Sequence, residues 1–338
     1  MPLQIMFIEE RMNTIMAFAR KLLTTSAVIG GALGALAIYN KVTETTAGEL
    51  DTVLRGEERR YPWKNGDMFY EVKGARDAKP LLLIHGFGPG ASSYEWRKNV
   101  DTLAQNYRVY VLDLLGFGLS DRPAVDYTVE TYIDLIGDFI REVINKPTIV
   151  VAHGVTGAYV VANAYRKPQL FERIVLVSPP TSMLQEPNAS PVSTLWKGVL
   201  RLPVIGQFVY NVLTSRQAIN GYYDNQGYHN PGLISDELVE YVYTSAHQSN
   251  SRYAAASYIS HSLNLDVHEE LARLKMPVTV VLGRETFQPQ SVTEVSQAFK
   301  RVNSNLDVRI VDRASYQLQD EQPAKFNDIV REYAGAAV

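Results

Sequence analysis

The sequence predicts an α/β fold built on a mostly parallel, doubly wound sheet, and three observations carry that reading. Short apolar runs recur at 81–84, 109–112, 148–152, 174–177, 278–282 and 308–311. Amphipathic stretches of helical period lie between them, near 94–105, 129–144, 157–166, 291–301 and 324–333. Strands alternating with helices imply crossover connections, and crossovers join parallel strands. The third observation is one interruption of the rhythm. Residues 182–265 are helical in places and rich in tyrosine, which fits a cap inserted after the 174–177 strand.

Taken from the N-terminus, residues 1–50 precede this pattern. No charged residue occurs between Lys21 and Lys41, and Leu22 to Tyr39 is mostly apolar. As a helix that stretch is about 27 Å long, close to the ~30 Å hydrocarbon core of a bilayer. Ala27, Gly30 and Gly34 share one helical face, and small residues allow a second transmembrane helix to approach closely. The expectation is a single-pass membrane anchor that contacts an integral membrane protein through residues 22–39. Residues 5–21 mix apolar and charged side chains and suit the interface. A signal peptide and a buried soluble helix are the competing readings of the same segment. Residues 43–51 are a polar linker, and a strand pair follows over 61–73 with its turn at Asn65-Gly66-Asp67. The core is then expected over 51–181 and 266–338, with the cap at 182–265.

Composition narrows the function. A formal net charge of −3 without a long basic run argues against nucleic acid. The absence of cysteine excludes disulfides, zinc–thiolate sites and a cysteine nucleophile. His229, His247 and His261 lack metal-ligand spacing, and no glycine-rich run ends in Lys-Ser/Thr, so neither a metal nor another cofactor is expected.

Two ordered motifs carry a family likeness. His85-Gly86-Phe87-Gly88 leads into Ser92-Ser93-Tyr94-Glu95-Trp96-Arg97, and Asp113-Leu114-Leu115-Gly116-Phe117-Gly118 leads into Ser120-Asp121-Arg122-Pro123. With Glu321-Gln322-Pro323 near the end, the chain from about 55 to 335 resembles the α/β-hydrolase fold family. More narrowly it resembles the pheophytinase and chlorophyll-dephytylase-like branch. The resemblance implies a serine on a strained strand-to-helix turn of the form small-x-Ser-x-small. Ala152-His153-Gly154-Val155-Thr156 stands there, with Gly154 at the nucleophile position. The acid position falls on Thr286 in Gly283-Arg284-Glu285-Thr286, and the histidine position on Tyr316. No histidine follows His268, so no shift of the alignment restores one. Gly86, Phe87 and Val155 mark the vestigial oxyanion-hole region.

Loss of nucleophile, base and acid together leaves no route to an acyl-enzyme. The sequence therefore leads to the expectation of a catalytically inactive, membrane-anchored accessory or structural subunit of a larger membrane complex. The chlorophyll metabolism of the resembled branch makes that complex photosynthetic. Two alternatives stand beside it. One is a ligand-binding receptor or carrier that uses the former active-site pocket. The other is a hydrolase with a non-standard catalytic set, for which Thr156 and Glu285 are candidates.

Overall fold

The structure is a computed structural model that describes residues 26–187, 191–286 and 290–335. Its eight strands are β1 (Glu57–Trp63), β2 (Gly66–Lys73), β3 (Lys79–Ile84), β4 (Tyr107–Leu112), β5 (Thr148–His153), β6 (Phe171–Val177), β7 (Val278–Gly283) and β8 (Asp307–Val311). They form one sheet in the order β1-β2-β4-β3-β5-β6-β7-β8. Strands β3 to β8 pair parallel with one another, and β2 pairs antiparallel with both β1 and β4. Trp63 pairs with Gly66, so the hairpin turns on Lys64-Asn65, one residue before the expected place.

Ten helices matter below: α1 (Ser26–Thr46), α2 (Val129–Phe139), α3 (Thr156–Arg166), α4 (Pro191–Arg201), α5 (Val204–Leu213), α6 (Arg216–Tyr222), α7 (Asp236–Ala246), α8 (Ser251–Ile259), α9 (Val292–Val302) and α10 (Pro323–Ala334). Leu81, Leu82, Leu83 and Ile84 are completely buried, because β3 is covered on both faces. One face packs on a layer that includes α2 and α3, the other on Trp96, Leu103 and the Phe326 and Val330 side chains of α10. Such two-sided burial explains why the central strands read as unbroken apolar runs. Helices α4 to α8 lie between β6 and β7 in the chain. Strand β3 has β4 on one side and β5 on the other, so the chain reverses direction across the sheet at β3. Loops leaving the C-terminal ends of strands at such a point diverge and open a crevice.

The expected transmembrane helix is corrected here: among the described residues no helix is long and apolar enough to cross a membrane. Helix α1 continues past Tyr39 to Thr46, taking in Lys41 and Glu44, and its second half docks on the cap. Asn40 Nδ2 donates to the Val204 carbonyl at 2.9 Å, and Asn40 Oδ1 accepts from Asn211 Nδ2 at 3.1 Å. The Tyr39 ring sits edge-on to Phe208 with centroids 5.4 Å apart. Thr43 and Ala47 are buried, and Thr244 Oγ1 donates to the Ala47 carbonyl at 3.0 Å. A carboxamide pair and an aromatic edge give residues 39–47 a protein partner. Residues 22–25 of the expected span, and the side chain of Ala27, lie outside the described residues. Gly30 and Gly34 are exposed, and a methyl group added at either would meet nothing within 4 Å. Among the described residues no helix covers that face.

Candidate active site

The crevice begins at the end of β3. His85 Nδ1 lies 2.6 Å from the Gly86 carbonyl, and His85 Nε2 accepts the Leu114 N–H at 3.0 Å. One nitrogen therefore donates and the other accepts, which fixes a neutral tautomer. Asp113, after β4, accepts the Ser93 N–H on one oxygen at 2.6 Å and the Leu119 N–H on the other at 2.8 Å. Thr156 Oγ1 donates to the His85 carbonyl at 2.7 Å and is completely buried. These three side chains hold loops. Thr156, a candidate nucleophile from the sequence, has its hydroxyl committed to the backbone.

Strand β5 ends at His153, and Gly154 turns the chain with φ +59° before α3 opens at Thr156. An L-residue is strained at that φ, and glycine is not. The Gly154 N–H donates to the Val177 carbonyl at 2.9 Å, tying the turn to β6. Gly154 thus occupies a strand-to-helix elbow. A Cβ added to it would collide with the hydroxyl of Tyr316. Tyr316, in the loop after β8, fills the space a nucleophile's side chain needs. Burial, together with Tyr258 and Glu95 nearby, pushes the Tyr316 phenol well above its usual range, so the hydroxyl stays protonated and can donate.

His153 links the elbow to a residue the sequence reading gave no role. Its Nδ1 lies 3.1 Å from Glu95 Oε2, and its Nε2 lies 3.2 Å from the Tyr316 carbonyl oxygen. The rings of His153 and Tyr316 are 4.5 Å apart. Glu95 Oε1 accepts the Gly86 N–H at 3.2 Å, so this carboxylate lies in the region expected for an oxyanion hole. Both partners of His153 are acceptors. A neutral imidazole has only one N–H, so it can donate to one of them at a time.

This pair faces a cavity of about 100 Å³ whose wall includes Gly86, Phe87, Glu95, His153, Tyr222 and Tyr316. Tyr222 is also pushed well above its usual range, first by burial and then by Tyr316 and other tyrosines. On another side the wall carries a charge network. Asp320 pairs with Arg97 at 2.5 Å and with Lys98, and accepts the Tyr228 hydroxyl at 2.5 Å. Burial disfavours the Arg97 cation, but Asp320 and the surrounding tyrosines more than compensate and leave its pKa raised. The Arg97 guanidinium also lies 4.3 Å above the Tyr94 ring.

The structure brings Gly154 and Tyr316 together, with Gly86 and Phe87 in the wall of the adjoining cavity. Val155 is buried at the start of α3. Thr286 follows β7, half-buried, with its hydroxyl donated to the Gly283 carbonyl at 2.8 Å. Neither Thr286 nor Glu285 lines the cavity. Sequence reasoning missed Glu95, Arg97 and Asp320. Their only signal was position: Glu95 and Arg97 follow the His85-Gly86 turn closely, and Asp320 directly precedes Glu321-Gln322-Pro323.

A doubly wound sheet with an elbow and cavity at its strand ends defines a class, and residues 81–329 match the profile described as the Alpha/beta hydrolase family. The chain belongs to that family. It is 26% identical over 281 residues to the (Lyso)-N-acylphosphatidylethanolamine lipase of Homo sapiens, covering 76% of this chain and 79% of that one. It is 24% identical to Epoxide hydrolase 4 of Mus musculus, covering 79% and 76%. An uncharacterized protein of Mycobacterium tuberculosis is 32% identical over 141 residues, and this chain spans 40% of its length. Among solved structures, a serine hydrolase involved in carbazole degradation superposes with a TM-score of 0.65 at 21% identity, over 83% of this chain and 99% of that one. The 2-hydroxy-6-oxo-6-phenylhexa-2,4-dienoate hydrolase of Rhodococcus gives 0.65 at 20% identity, over 82% and 98%. At such identities the superpositions speak for the fold.

The expectation of an inactive accessory subunit of a photosynthetic membrane complex is overturned by these relatives. A lipase and an epoxide hydrolase match about three quarters of the chain, and named hydrolases share its fold. Reading the loss of all three triad residues, at Gly154, Thr286 and Tyr316, as the end of catalysis overlooked the ionisable groups around the cavity. Glu95, His153 and Tyr316 come from three separate segments, and a triad template does not look for the pairing of Glu95 with His153. The comparisons support the family and not the narrower pheophytinase-like branch.

Proposed function

We propose that this chain is a hydrolase with a non-standard catalytic set, one that activates water directly instead of forming a covalent intermediate at the elbow. The observation that carries the reading is the convergence of the Glu95–His153 pair and the Tyr316 hydroxyl on one cavity beside Gly154. Gly154 has no side chain with which to attack, so the nucleophile must be water. The Glu95 carboxylate takes a proton from that water as its oxygen adds to an ester carbonyl carbon. The protonated Tyr316 hydroxyl donates to the oxyanion that forms. When the intermediate collapses, the C–O bond breaks and the leaving alkoxide receives the proton held by the Glu95–His153 pair. Ester and water become acid and alcohol, and the pair is restored.

The lipase and epoxide hydrolase relatives support hydrolysis as the class, and the motif likeness to the pheophytinase-like branch adds esters of long apolar alcohols to the candidates. The test is a substrate panel of p-nitrophenyl esters, N-acylphosphatidylethanolamines, phytyl esters and epoxides. Once turnover is found, Glu95→Gln should lower kcat by roughly 10²–10⁴-fold. Tyr316→Phe should lower it by about 10²-fold. Undiminished turnover in Glu95→Gln would sink the reading. A ligand-binding receptor or carrier is the second reading, favoured by the Tyr316 hydroxyl standing in the nucleophile's space. It wins if the protein binds members of the panel, for example by calorimetry, and turns over none of them.

A further inference from the structure

We infer that α1 and the outer edge of the cap form one lipid-facing surface, by which the protein sits on a bilayer without crossing it. On α1, Ile38 is 68% exposed and Val42 is 52% exposed, one turn apart on the same face. On the cap, Val192, Leu195 and Leu202 recur at helical spacing along and just past α4, all exposed, with Leu195 at 58%. Ile205, also exposed, lies beside Val204, whose carbonyl holds Asn40 of α1. Helix α1 packs on α5, so the two stripes lie on adjoining elements, with Ile38 and Val42 on the side of α1 turned away from the Asn40 contact. Scattered single apolar side chains on a surface need no explanation, but stripes on two adjoining elements do.

The occupant follows from the first half of α1. Gly30, Gly31 and Gly34 stand clear of the rest of the fold, with nothing near enough to touch an added methyl group. Each glycine disfavours a helix by about 1 kcal/mol relative to alanine, and an unpartnered helical end in water has nothing to offset that. In hydrocarbon or at its boundary, water does not compete for the backbone groups, and the helical hydrogen bonds are enforced. Residues 1–25 run directly into this end and carry Ile5, Phe7, Ile8, Ile15, Phe18, Leu22 and Leu23 among Arg11, Arg20 and Lys21. The sequence ahead of α1 thus supplies further apolar residues interspersed with basic ones. A lipid surface fits both the stripe and its extension. Helix α5 carries Ile205 on this face and Leu213 in the cavity wall, so the cavity and the lipid face share an element. The consequence for substrate, an amphiphile drawn from the bilayer, rests on the hydrolase reading.

The experiment is flotation of the full-length protein with vesicles of phosphatidylcholine alone and of phosphatidylcholine mixed with phosphatidylglycerol, at low and high salt. The readout is binding, so it succeeds or fails independently of turnover. Wild-type protein should float with both vesicle types and stay bound at high salt. The triple variant Ile38→Glu, Leu195→Glu, Leu202→Glu should lose roughly tenfold in affinity per substitution, with unchanged circular dichroism and melting temperature. Val42→Ser with Val192→Ser should weaken binding in the same direction without adding charge. Wild-type protein that does not float overturns the inference, as does flotation that survives the triple variant. A dimer in sedimentation that the triple variant dissociates, with no vesicle binding, assigns the face to a second copy. Flotation only in the presence of an added integral membrane protein assigns it to that protein.

Discussion

The loops that follow β3 and β4 and the loops that follow β5 and β8 meet at one crevice, and they use their polar side chains in opposite ways. In the first region His85 and Asp113 bond to backbone groups, each on two sides. Their geometry is fixed by the chain, and they have nothing left to give a substrate. In the second region His153 faces Glu95, which reaches across from the segment after β3, and the Tyr316 ring lies over His153 with its hydroxyl above Gly154. These groups touch the Gly86 N–H and the Tyr316 carbonyl as well, but they also contact each other and line the cavity. The difference teaches which polar residue of a crevice is scaffold and which is chemistry: substitution of the first should register in stability, and of the second in activity.

The largest effect should come from the network that joins the two regions. Asp320→Ala leaves Arg97 buried without its counter-ion, and breaking such a pair costs about 3–5 kcal/mol, to be measured by denaturant unfolding. If the loss is under 1 kcal/mol, the two regions are not held together by this network. Next, Asp113→Ala leaves the Ser93 and Leu119 N–H groups without an acceptor, for a loss of about 3 kcal/mol. A scaffold residue with no such cost would dissolve the distinction between the regions. Gly154→Ser should cost about 1–3 kcal/mol from the positive φ and the collision with Tyr316. Combining it with Tyr316→Ala should recover part of that loss, and strict additivity of the two changes would mean that they do not touch. Tyr316→Phe alone should shift stability by less than about 1 kcal/mol while the activity assay registers its loss.

His247 extends the comparison to the cap. It is buried, with Nδ1 2.8 Å from the Tyr243 carbonyl and Nε2 3.2 Å from Thr214 Oγ1. Burial first, and then Arg216, hold its pKa below the usual value. The folded state therefore binds a proton less readily than the unfolded one. The stabilisation is complete above the ordinary histidine pKa of about 6.5 and is lost as pH falls through the lowered folded value. His247→Gln should flatten the fall in melting temperature over that interval. An unchanged slope would place the acid sensitivity elsewhere.

The parallel strands were legible in the sequence because strands buried on both faces leave no polar residue to break the run, as Leu81 to Ile84 illustrate. The elbow at Gly154 was legible because a strand, a small-residue turn and a helix follow one another in the chain. The destination of α1 was not. An apolar stretch such as 22–39 reads the same against lipid and against a cap, and the residues that decide, Asn40 and Thr43, lie just beyond it. Nor was the Glu95–His153 pair. Its members, one in the segment after β3 and one at the end of β5, are brought together because β3 and β5 are neighbours in the sheet and not in sequence. Tyr316 was singled out by position, but its effect on Gly154 depends on where a ring points, which no pattern of residue types states.

The seam between α1 and the cap also bears on how the chain reaches its native state. Asn40 meets Val204 across 164 residues, Thr244 meets Ala47 across 197, and Ser249 meets Glu44 across 205. Closing loops of that length is entropically costly and slow compared with forming a hairpin such as β1–β2. Helix α1 thus has to wait for 164 to 205 residues before its partners on the cap exist. Its docking belongs among the late events of folding, and until then its apolar face is open to whatever surface it encounters first.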